Sequence, residues 1–346
     1  MKKTIKKFLK MYINKVKTLK KVKKYGDTKN GYIAYIENNK AYILDNRLKI
    51  KDVDLPNKSL SLFSYRNDIF ISDSEKMVTM IYNSLNDKFV NLDVLISMPI
   101  SIEKRSINNL IFPILYQNNE KLIAKFDVST YNVLETYQLY IGINGVAKVI
   151  DENTFVSRDR ERIGVFGFDN KVWWKKRIAR LGRSKEAFIH SDFQIYKNDL
   201  YFAISGTPDN KTFCIDVKKG KVKHKYKELI MFSRIEEDKL YNLFAGNLHI
   251  LDLHSQRMHK IDLTAEFKKY NISTDWQYEV KSGLIYFKQS MGEVARIGII
   301  DPLLEKVVWT YEFPNECGQV GTIRVAGNRI YAHTQDQTLH IFEREE

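Results

Sequence analysis

Short apolar stretches separated by polar turns recur along most of the chain. Each unit starts with a polar turn and an apolar, aromatic strand, then passes through a second turn to a strand that often ends near Asp. The first strand of each unit carries an aromatic residue, and these residues are spaced 38 to 46 positions apart: Tyr32, Phe70, Phe112, Phe155, Tyr201, Tyr241, Tyr286 and Tyr331. Eight such units of about 40 residues fill positions 27–346.

This period predicts an all-β fold, a β-propeller of four-stranded blades. Repeats of about 40–50 residues with four short strands are typical of propellers. Residues 200–204 (LYFAI) are apolar at successive positions, as expected when neighbouring blades cover both faces of a sheet. A β-sandwich pair or a barrel would also contain many short strands, but the near-constant period favours the propeller. Eight hairpins favour eight blades, with seven as the alternative.

The two ends of the repeat are incomplete. The first unit shows no clear strand before Gly31, and the eighth ends without a fourth strand. A propeller commonly combines strands from both chain ends in one blade, and this arrangement is a candidate here.

Residues 1–26 form a segment of different character. The apolar positions are separated by steps of three and one, which predicts an amphipathic helix ending at Gly26: Ile5, Phe8, Leu9, Tyr12, Ile13, Val16, Leu19 and Val22. We therefore predict two parts, a helix over 1–26 and a propeller over 27–346. Neither a secretory signal nor a 20-residue apolar span is present, which favours a cytoplasmic location.

Most of the net charge of +14 lies in this segment, because residues 1–24 contain eleven Lys and no acid. Three interpretations are open: a helix packed on the body, a helix that docks to an acidic protein or nucleic acid, and a helix that lies on the anionic inner face of a membrane. The candidate contact residues are Lys6, Lys10, Lys17 and Lys20.

Two further basic segments occur in consecutive units. Residues 171–185 carry a charge of +7 and residues 218–227 carry +6, with no acid in either. Both follow the strand that ends near Asp, so both should be outer strands of neighbouring blades. They predict a basic rim for an anionic partner, although exposed edge strands also carry Lys to prevent pairing with other strands. The candidate residues are Lys175, Lys176, Arg177, Arg180, Arg183, Lys221, Lys223 and Lys225.

No catalytic or cofactor motif is visible. The spacing of His249, His254 and His259 places them on a strand, a turn and the next strand, which argues against a shared metal site; the same holds for His333 and His340 in the last hairpin. Cys214 and Cys317 have no visible base beside them, and Cys317 is expected to be the more exposed. No nucleophile elbow or phosphate-binding loop occurs, and the glycines of residues 164–167 (GVFG) fit close blade packing.

Three segments resemble quinoprotein-type (pyrroloquinoline-quinone-like) propeller repeats. Residues 216–222 (DVKKGKV) resemble the turn of that family, residues 301–309 (DPLLEKVVW) keep its Trp, and residues 328–340 (NRIYAHTQDQTLH) are similar to its strand pair. The resemblance implies a propeller, most often of eight blades. It implies no cofactor, because the adjacent Cys pair of the family's enzymes is missing: the two Cys here are 103 residues apart.

These observations predict a non-catalytic interaction platform that binds another macromolecule through a propeller face or the basic rim. The expected partner is another protein, for which an acidic surface would suit the rim; nucleic acid is a weaker alternative. The rival functions are a peripheral membrane protein anchored by the N-terminal helix, and a quinoprotein-like or hydrolytic enzyme that uses the central funnel.

Overall fold

The computed structural model describes residues 12–27, 31–53, 60–99, 109–117, 120–138, 147–189, 193–207, 210–229, 233–273, 278–289 and 294–345. The fold is an eight-bladed β-propeller of antiparallel, four-stranded blades, so the prediction of eight blades is confirmed and the seven-blade alternative is wrong. In two of these blades, two short strands share one of the four positions. Neither of the two described helices is long or apolar enough to cross a membrane.

Each blade is one sheet, and the strands are numbered in chain order. Strand β1 is Ile13–Leu19. Blade 1 comprises β2 (Val22–Asp27), β3 (Ile33–Glu37), β4 (Lys40–Leu44) and β5 (Ile50–Val53). Blade 2 comprises β6 (Leu60–Tyr65), β7 (Asp68–Asp73), β8 (Val78–Asn83) and β9 (Lys88–Leu92). Blade 3 comprises β10 (Leu95–Pro99), β11 (Leu110–Ile111), β12 (Pro113–Gln117), β13 (Glu120–Asp127) and β14 (Asn132–Gln138). Blade 4 comprises β15 (Ala147–Val149), β16 (Thr154–Arg158), β17 (Arg162–Gly167) and β18 (Val172–Arg177).

The second half of the chain continues the pattern. Blade 5 comprises β19 (Phe188–Ile189), β20 (Gln194–Tyr196), β21 (Asp199–Ser205), β22 (Lys211–Asp216) and β23 (Val222–Tyr226). Blade 6 comprises β24 (Ser233–Glu236), β25 (Lys239–Phe244), β26 (Asn247–Asp252) and β27 (Met258–Asp262). Blade 7 comprises β28 (Tyr278–Lys281), β29 (Leu284–Gln289), β30 (Arg296–Asp301) and β31 (Lys306–Glu312). Blade 8 comprises β32 (Val320–Ala326), β33 (Arg329–Thr334), β34 (Leu339–Arg344) and β1. The shared positions are those of β11 and β12 in blade 3, which both pair with β13, and of β19 and β20 in blade 5, which both pair with β21. The helices are α1 (Ile178–Gly182) and α2 (Thr264–Lys269), and a 3-10 turn spans Asn315–Cys317.

The predicted helix over 1–26 is wrong for the residues that the structure describes, because β1 and the start of β2 occupy that segment; residues 1–11 lie outside the described part. Strand β1 pairs antiparallel with β34, from Ile13 opposite Arg344 to Leu19 opposite Leu339. It supplies the fourth strand that the eighth unit lacked, and β2 supplies the missing first strand of blade 1. Apolar residues spaced three apart also fit a helix. A short isolated helix is only marginally stable, however, whereas the strand is stabilised by the backbone hydrogen bonds of its long-range pairing with β34.

The recurring aromatic residues confirm the phasing of the repeat. Each of five second strands carries one of them at its third position: Phe70, Tyr201, Tyr241, Tyr286 and Tyr331. Phe155 is second in β16, Tyr32 immediately precedes β3, and Phe112 lies between β11 and β12. These side chains are buried except for the half-buried Tyr32, so a large apolar group fills the core near the start of this strand in most blades.

The Asp that ends many third strands closes the turn to the outer strand. The Asp216 carboxylate accepts the backbone N–H of Lys219 at 2.8 Å, and Asp301 accepts that of Leu303 at 2.8 Å. Such side-chain acceptors stabilise tight turns. Four residues after the Asp the chain turns through a left-handed conformation in four blades, at Tyr131, Gly220, Gln256 and Glu305.

The chain divides into two compact units, one of Met1–Val22, Ala245–Asn247 and Ile261–Glu346, the other of Lys23–Phe244 and Leu248–Lys260. In the second unit, apolar clusters form between consecutive sheets; the cluster of blades 2 and 3 contains the stacked pair Phe63 and Phe70, with ring centroids 4.5 Å apart. In the first unit, blades 7 and 8 share a cluster that includes Ile299 and Phe342, both fully buried. Trp309 is only half-buried and packs edge-on against Phe342 at 5.6 Å.

Two glycines lie where side chains and backbone pack closely, one in β17 of blade 4 and one in β30 of blade 7. A Cβ at Gly164 would lie 2.7 Å from the carbonyl oxygen of Trp174, and a Cβ at Gly298 would overlap the Phe287 ring. The interpretation of Gly164 as a packing residue is therefore consistent with its surroundings.

Replacing Gly298 by Ala should lower the free energy of unfolding by about 1–3 kcal/mol, because the buried Phe287 ring must move. Gly321→Ala is the matched control, since its Cβ would be no closer than 3.5 Å to any neighbour; it should be neutral or slightly stabilising. Urea denaturation of the two variants measures the difference, and equal losses would contradict the packing argument.

Candidate functional site

The two basic segments lie side by side on the outer strands of blades 4 and 5. Residues 171–185 form β18, α1 and the following turn, and residues 218–227 form the turn before β23, that strand and the residue after it. Trp174 in β18 joins them, because its indole Nε1 donates a hydrogen bond of 2.6 Å to the carbonyl oxygen of Val217. Gly220 packs directly against the Trp174 ring, where a Cβ would lie 2.7 Å from it.

A groove of about 980 Å³ opens where these segments meet. We call it the basic groove, and it is defined by its lining residues: Lys175, Lys176, Arg177, Ala179, Arg180, Leu181, Arg183, Ser184, Lys185, Phe213, Val222 and Lys225. Seven of these are Lys or Arg and none is acidic. The volume is at the upper end of the range of ligand pockets.

Helix α1 shapes one wall of the groove. It follows β18 without a break, buries Ile178 and Gly182, and ends at Arg183 in a left-handed conformation with φ 56°. Ser184 then anchors the turn by donating from Oγ to the carbonyl oxygen of Gly206 at 3.0 Å. This short crossover between blades places Arg180 and Arg183 next to the strand lysines.

The cations of the basic groove have no acidic partner within ion-pair distance among the described residues. Lys225 rests over the Phe213 ring, with Nζ 5.3 Å from the centroid, and Lys175 lies 6.0 Å from the Phe166 centroid. Arg177 stands opposite Arg162 in the ladder between β17 and β18. Uncompensated positive charge of this density creates a potential that attracts anions.

Two predicted residues lie outside this groove. Lys221 and Lys223 line a smaller neighbouring depression of about 400 Å³ that also contains Asp216. Lys223 forms ion pairs with Asp199 and, at 3.4 Å, with Asp216. The bond to Asp199 raises the pKa of Lys223, so this ammonium is already occupied by carboxylates and is a poor anchor for an incoming anion.

The N-terminal lysines do not belong to the groove-forming elements. Lys17 lies in β1 and Lys20 in the bend after it, both in the first unit; Lys6 and Lys10 fall outside the described residues. The β1 lysines sit on a strand whose only partner among the described strands is β34. Charge on such an edge hinders unwanted strand pairing.

The remaining titratable candidates are not among the residues that line the basic groove. His249, His254 and His259 occupy β26, a turn and β27 as predicted. Both thiols are buried and free; Cys317 keeps slightly more exposure than Cys214, at 7% against 0%. Burial raises the pKa of Cys214 to about 11, so this thiol is protonated at neutral pH. One group that sequence reasoning missed does come together among the described residues: Cys317, Asp336 and His340.

The fold is similar to that of several solved propellers. The chain matches the computationally designed Ika8 protein with a TM-score of 0.59 at 10% identity, covering 94% of this chain and 96% of that one. It matches the C-terminal WD40 domain of Sif2 with a TM-score of 0.63 at 12% identity, covering 98% and 100%. For BamB from Moraxella catarrhalis the TM-score is 0.50 at 11% identity, covering 96% and 98%. No model of a protein family and no curated protein matches the sequence. Identities this low carry the fold alone.

Proposed function

We propose that this propeller is an interaction platform whose basic groove binds an acidic, extended segment of another protein. The observation that carries the proposal is the lining of the basic groove, in which seven Lys and Arg meet no acid. A surface of this kind is unfavourable by itself because like charges repel, and an anionic ligand relieves the repulsion. The kinship with quinoprotein-type repeats stays a prediction.

The apolar residues that line the basic groove, together with the edge of β18, indicate that the anionic ligand is a peptide. Leu181 and Val222 are partly exposed and contribute apolar surface between the cations, whereas Phe213 is buried beneath Lys225. This apolar surface suits alternating acidic and apolar side chains. Strand β18 is the last strand of its sheet and pairs only with β17 among the described strands. Its free backbone edge can accept a further strand, a recognition mode that nucleic acid cannot use.

A fluorescent octapeptide of alternating Glu and Val tests the proposal, with the Gln/Val peptide as the neutral control. Fluorescence anisotropy at low salt should show binding of the acidic peptide only. The affinity should fall as salt rises, because exposed charges are screened beyond about 8 Å at physiological ionic strength.

The triple variant Lys176→Glu, Arg180→Glu, Lys225→Glu should weaken binding about tenfold or more, since exposed ion pairs contribute about 0.2–1 kcal/mol each. The matched control is Lys218→Glu, Lys219→Glu, Lys227→Glu, which changes the net charge equally at exposed positions outside the basic groove. Equal weakening by both triples, or equal binding of the two peptides, would contradict the proposal.

A further inference from the structure

A cluster of three metal-ligand types lies in blade 8 and the turn that leads into it. Cys317 ends the 3-10 turn after β31, Asp336 lies in the hairpin between β33 and β34, and His340 belongs to β34. A thiol sulfur, a carboxylate oxygen and an imidazole nitrogen of these residues all lie within 4.8 Å of one another. They are 19 and 4 positions apart along the chain, so only the fold brings them together.

The backbone holds the two segments that carry the cluster in register. The N–H of Asp336 donates to the carbonyl oxygen of Cys317 at 3.2 Å, and the N–H of Gln335 donates to that of Gln319 at 2.9 Å. The Asp336 carboxylate is oriented by the hydroxyl groups of Thr334 and Thr338, at 2.6 and 2.7 Å. Fixed outer partners of this kind orient ligands at metal sites.

The hydrogen bonds of His340 leave one ring nitrogen free. The Thr334 hydroxyl proton is used toward Asp336 or the carbonyl oxygen of Thr338. Thr334 Oγ1 therefore accepts from Nε2–H of His340, at 3.1 Å. This assigns the proton to Nε2 and leaves a lone pair on Nδ1. His340 is only 2% exposed, and its Nδ1 atom has no hydrogen-bond partner among the described residues.

The imidazole and the thiol differ in the direction of their pKa shifts. Burial lowers the pKa of His340 to about 4. Burial raises the pKa of Cys317, so a metal ion must displace the thiol proton. The charged and titratable neighbours are Lys15, Glu316, His333 and Asp336.

We propose that Cys317 Sγ, an Asp336 carboxylate oxygen and His340 Nδ1 bind a divalent transition metal ion, with Zn²⁺ as the best fit. Sulfur, nitrogen and carboxylate oxygen are the protein ligands of zinc, at about 2.0–2.3 Å. In a tetrahedral site such ligands are about 3.3–3.8 Å apart, so small side-chain movements bring atoms that already lie within 4.8 Å of one another to binding distance. Asp336 is exposed, so the fourth position opens toward solvent and takes water. The ion would join the 3-10 turn to the last hairpin.

Cobalt(II) alone is the probe for this site, because a cobalt–thiolate bond gives a near-ultraviolet absorption band. The chain has two Cys, so the band has two possible sources. We expect one equivalent of Co²⁺ to bind the full-length protein, Zn²⁺ to displace it, and Zn²⁺ to raise the melting temperature. Cys317→Ser should abolish the band, whereas the matched control Cys214→Ser should keep it.

Asp336→Asn is a second test of the site. Asn has nearly the shape of Asp and position 336 is exposed, so this variant should fold even if the buried substitution Cys317→Ser does not. It should weaken Co²⁺ binding by at least about tenfold, since even the outer partners of metal ligands typically have effects of that size. Circular dichroism verifies that each variant is folded. The absence of a band in the wild type, its survival in Cys317→Ser, or its loss in Cys214→Ser would overturn the proposal.

Discussion

Replacing Phe70 by Ala is expected to lower the free energy of unfolding by about 3–5 kcal/mol, the usual cost of removing a large aromatic side chain from a core. Phe70 is fully buried between blades 2 and 3. Its ring stacks on Phe63 at 4.5 Å and meets Phe126 edge-on at 5.9 Å. Ala leaves both rings facing a void that the surrounding sheets cannot fill. Urea denaturation followed by circular dichroism measures the change.

Leu85→Ala provides the control for this prediction within the same blade. Leu85 lies in the turn between β8 and β9 and is 70% exposed, so its loss should change stability by no more than about 0.5 kcal/mol. If Phe70→Ala cost no more than Leu85→Ala, the aromatic residues would not form the layer between the blades, and the phasing of the repeat would be wrong.

The second prediction with a large expected effect is the loss of stability when β1 is replaced. Exchanging Ile13–Leu19 for seven Gly and Ser residues should lower the free energy of unfolding by about 3 kcal/mol or more. The exchange removes a strand that is aligned with β34 at six positions, and each net hydrogen bond contributes about 0.5–1.5 kcal/mol. It also removes the buried Leu19 side chain. The melting temperature and the urea midpoint both report this loss.

The double variant Lys15→Gln, Lys17→Gln separates the strand from its charge. It keeps the backbone ladder and removes two positive charges, so the melting temperature should change little. A membrane-bound helix would show the reverse result: the Gly/Ser exchange would leave stability intact, and both changes would reduce binding to anionic vesicles. That outcome would contradict the structure of blade 8.

The repeat was predictable because the physical demand on each blade is the same. A strand buried on both faces needs successive apolar residues, its aromatic side chain fills the layer to the next blade, and an Asp accepts backbone N–H groups in the turn that follows. Phe70, Tyr201 and Asp216 each satisfy one of these local demands, so their spacing reveals the fold without any knowledge of long-range contacts.

Strand β1 was not predictable because its structure depends on a partner far along the chain. Ile13 and Leu19 face residues 344 and 339 in the ladder, and no local pattern records that pairing. The spacing of the apolar residues satisfied a helix as well as a bulged strand, and the Lys between them fitted either a polar helix face or an edge strand. Tertiary pairing decided between two locally acceptable structures.

The candidate sites were likewise predictable only where they depend on local sequence. The charge runs located Lys176, Arg180 and Lys225 from the sequence, because charge is visible without a fold. The apolar walls of the basic groove and the ion pairs of Lys223 were not visible, because they depend on the packing of Leu181 and on the pairing of β21, β22 and β23 within blade 5. Cys317 and His340 also come together only through the fold, and their spacing resembles no metal motif.

Hydrogen exchange of the protein with the Glu/Val peptide tests the central claim most directly, because it locates the bound peptide on the fold. Added backbone pairing slows amide exchange. The account predicts that the peptide protects β18, α1 and β23, and that the triple variant Lys176→Glu, Arg180→Glu, Lys225→Glu loses this protection. Protection confined to other blades, or no protection while the peptide is bound, would contradict the claim that the basic groove is the binding site.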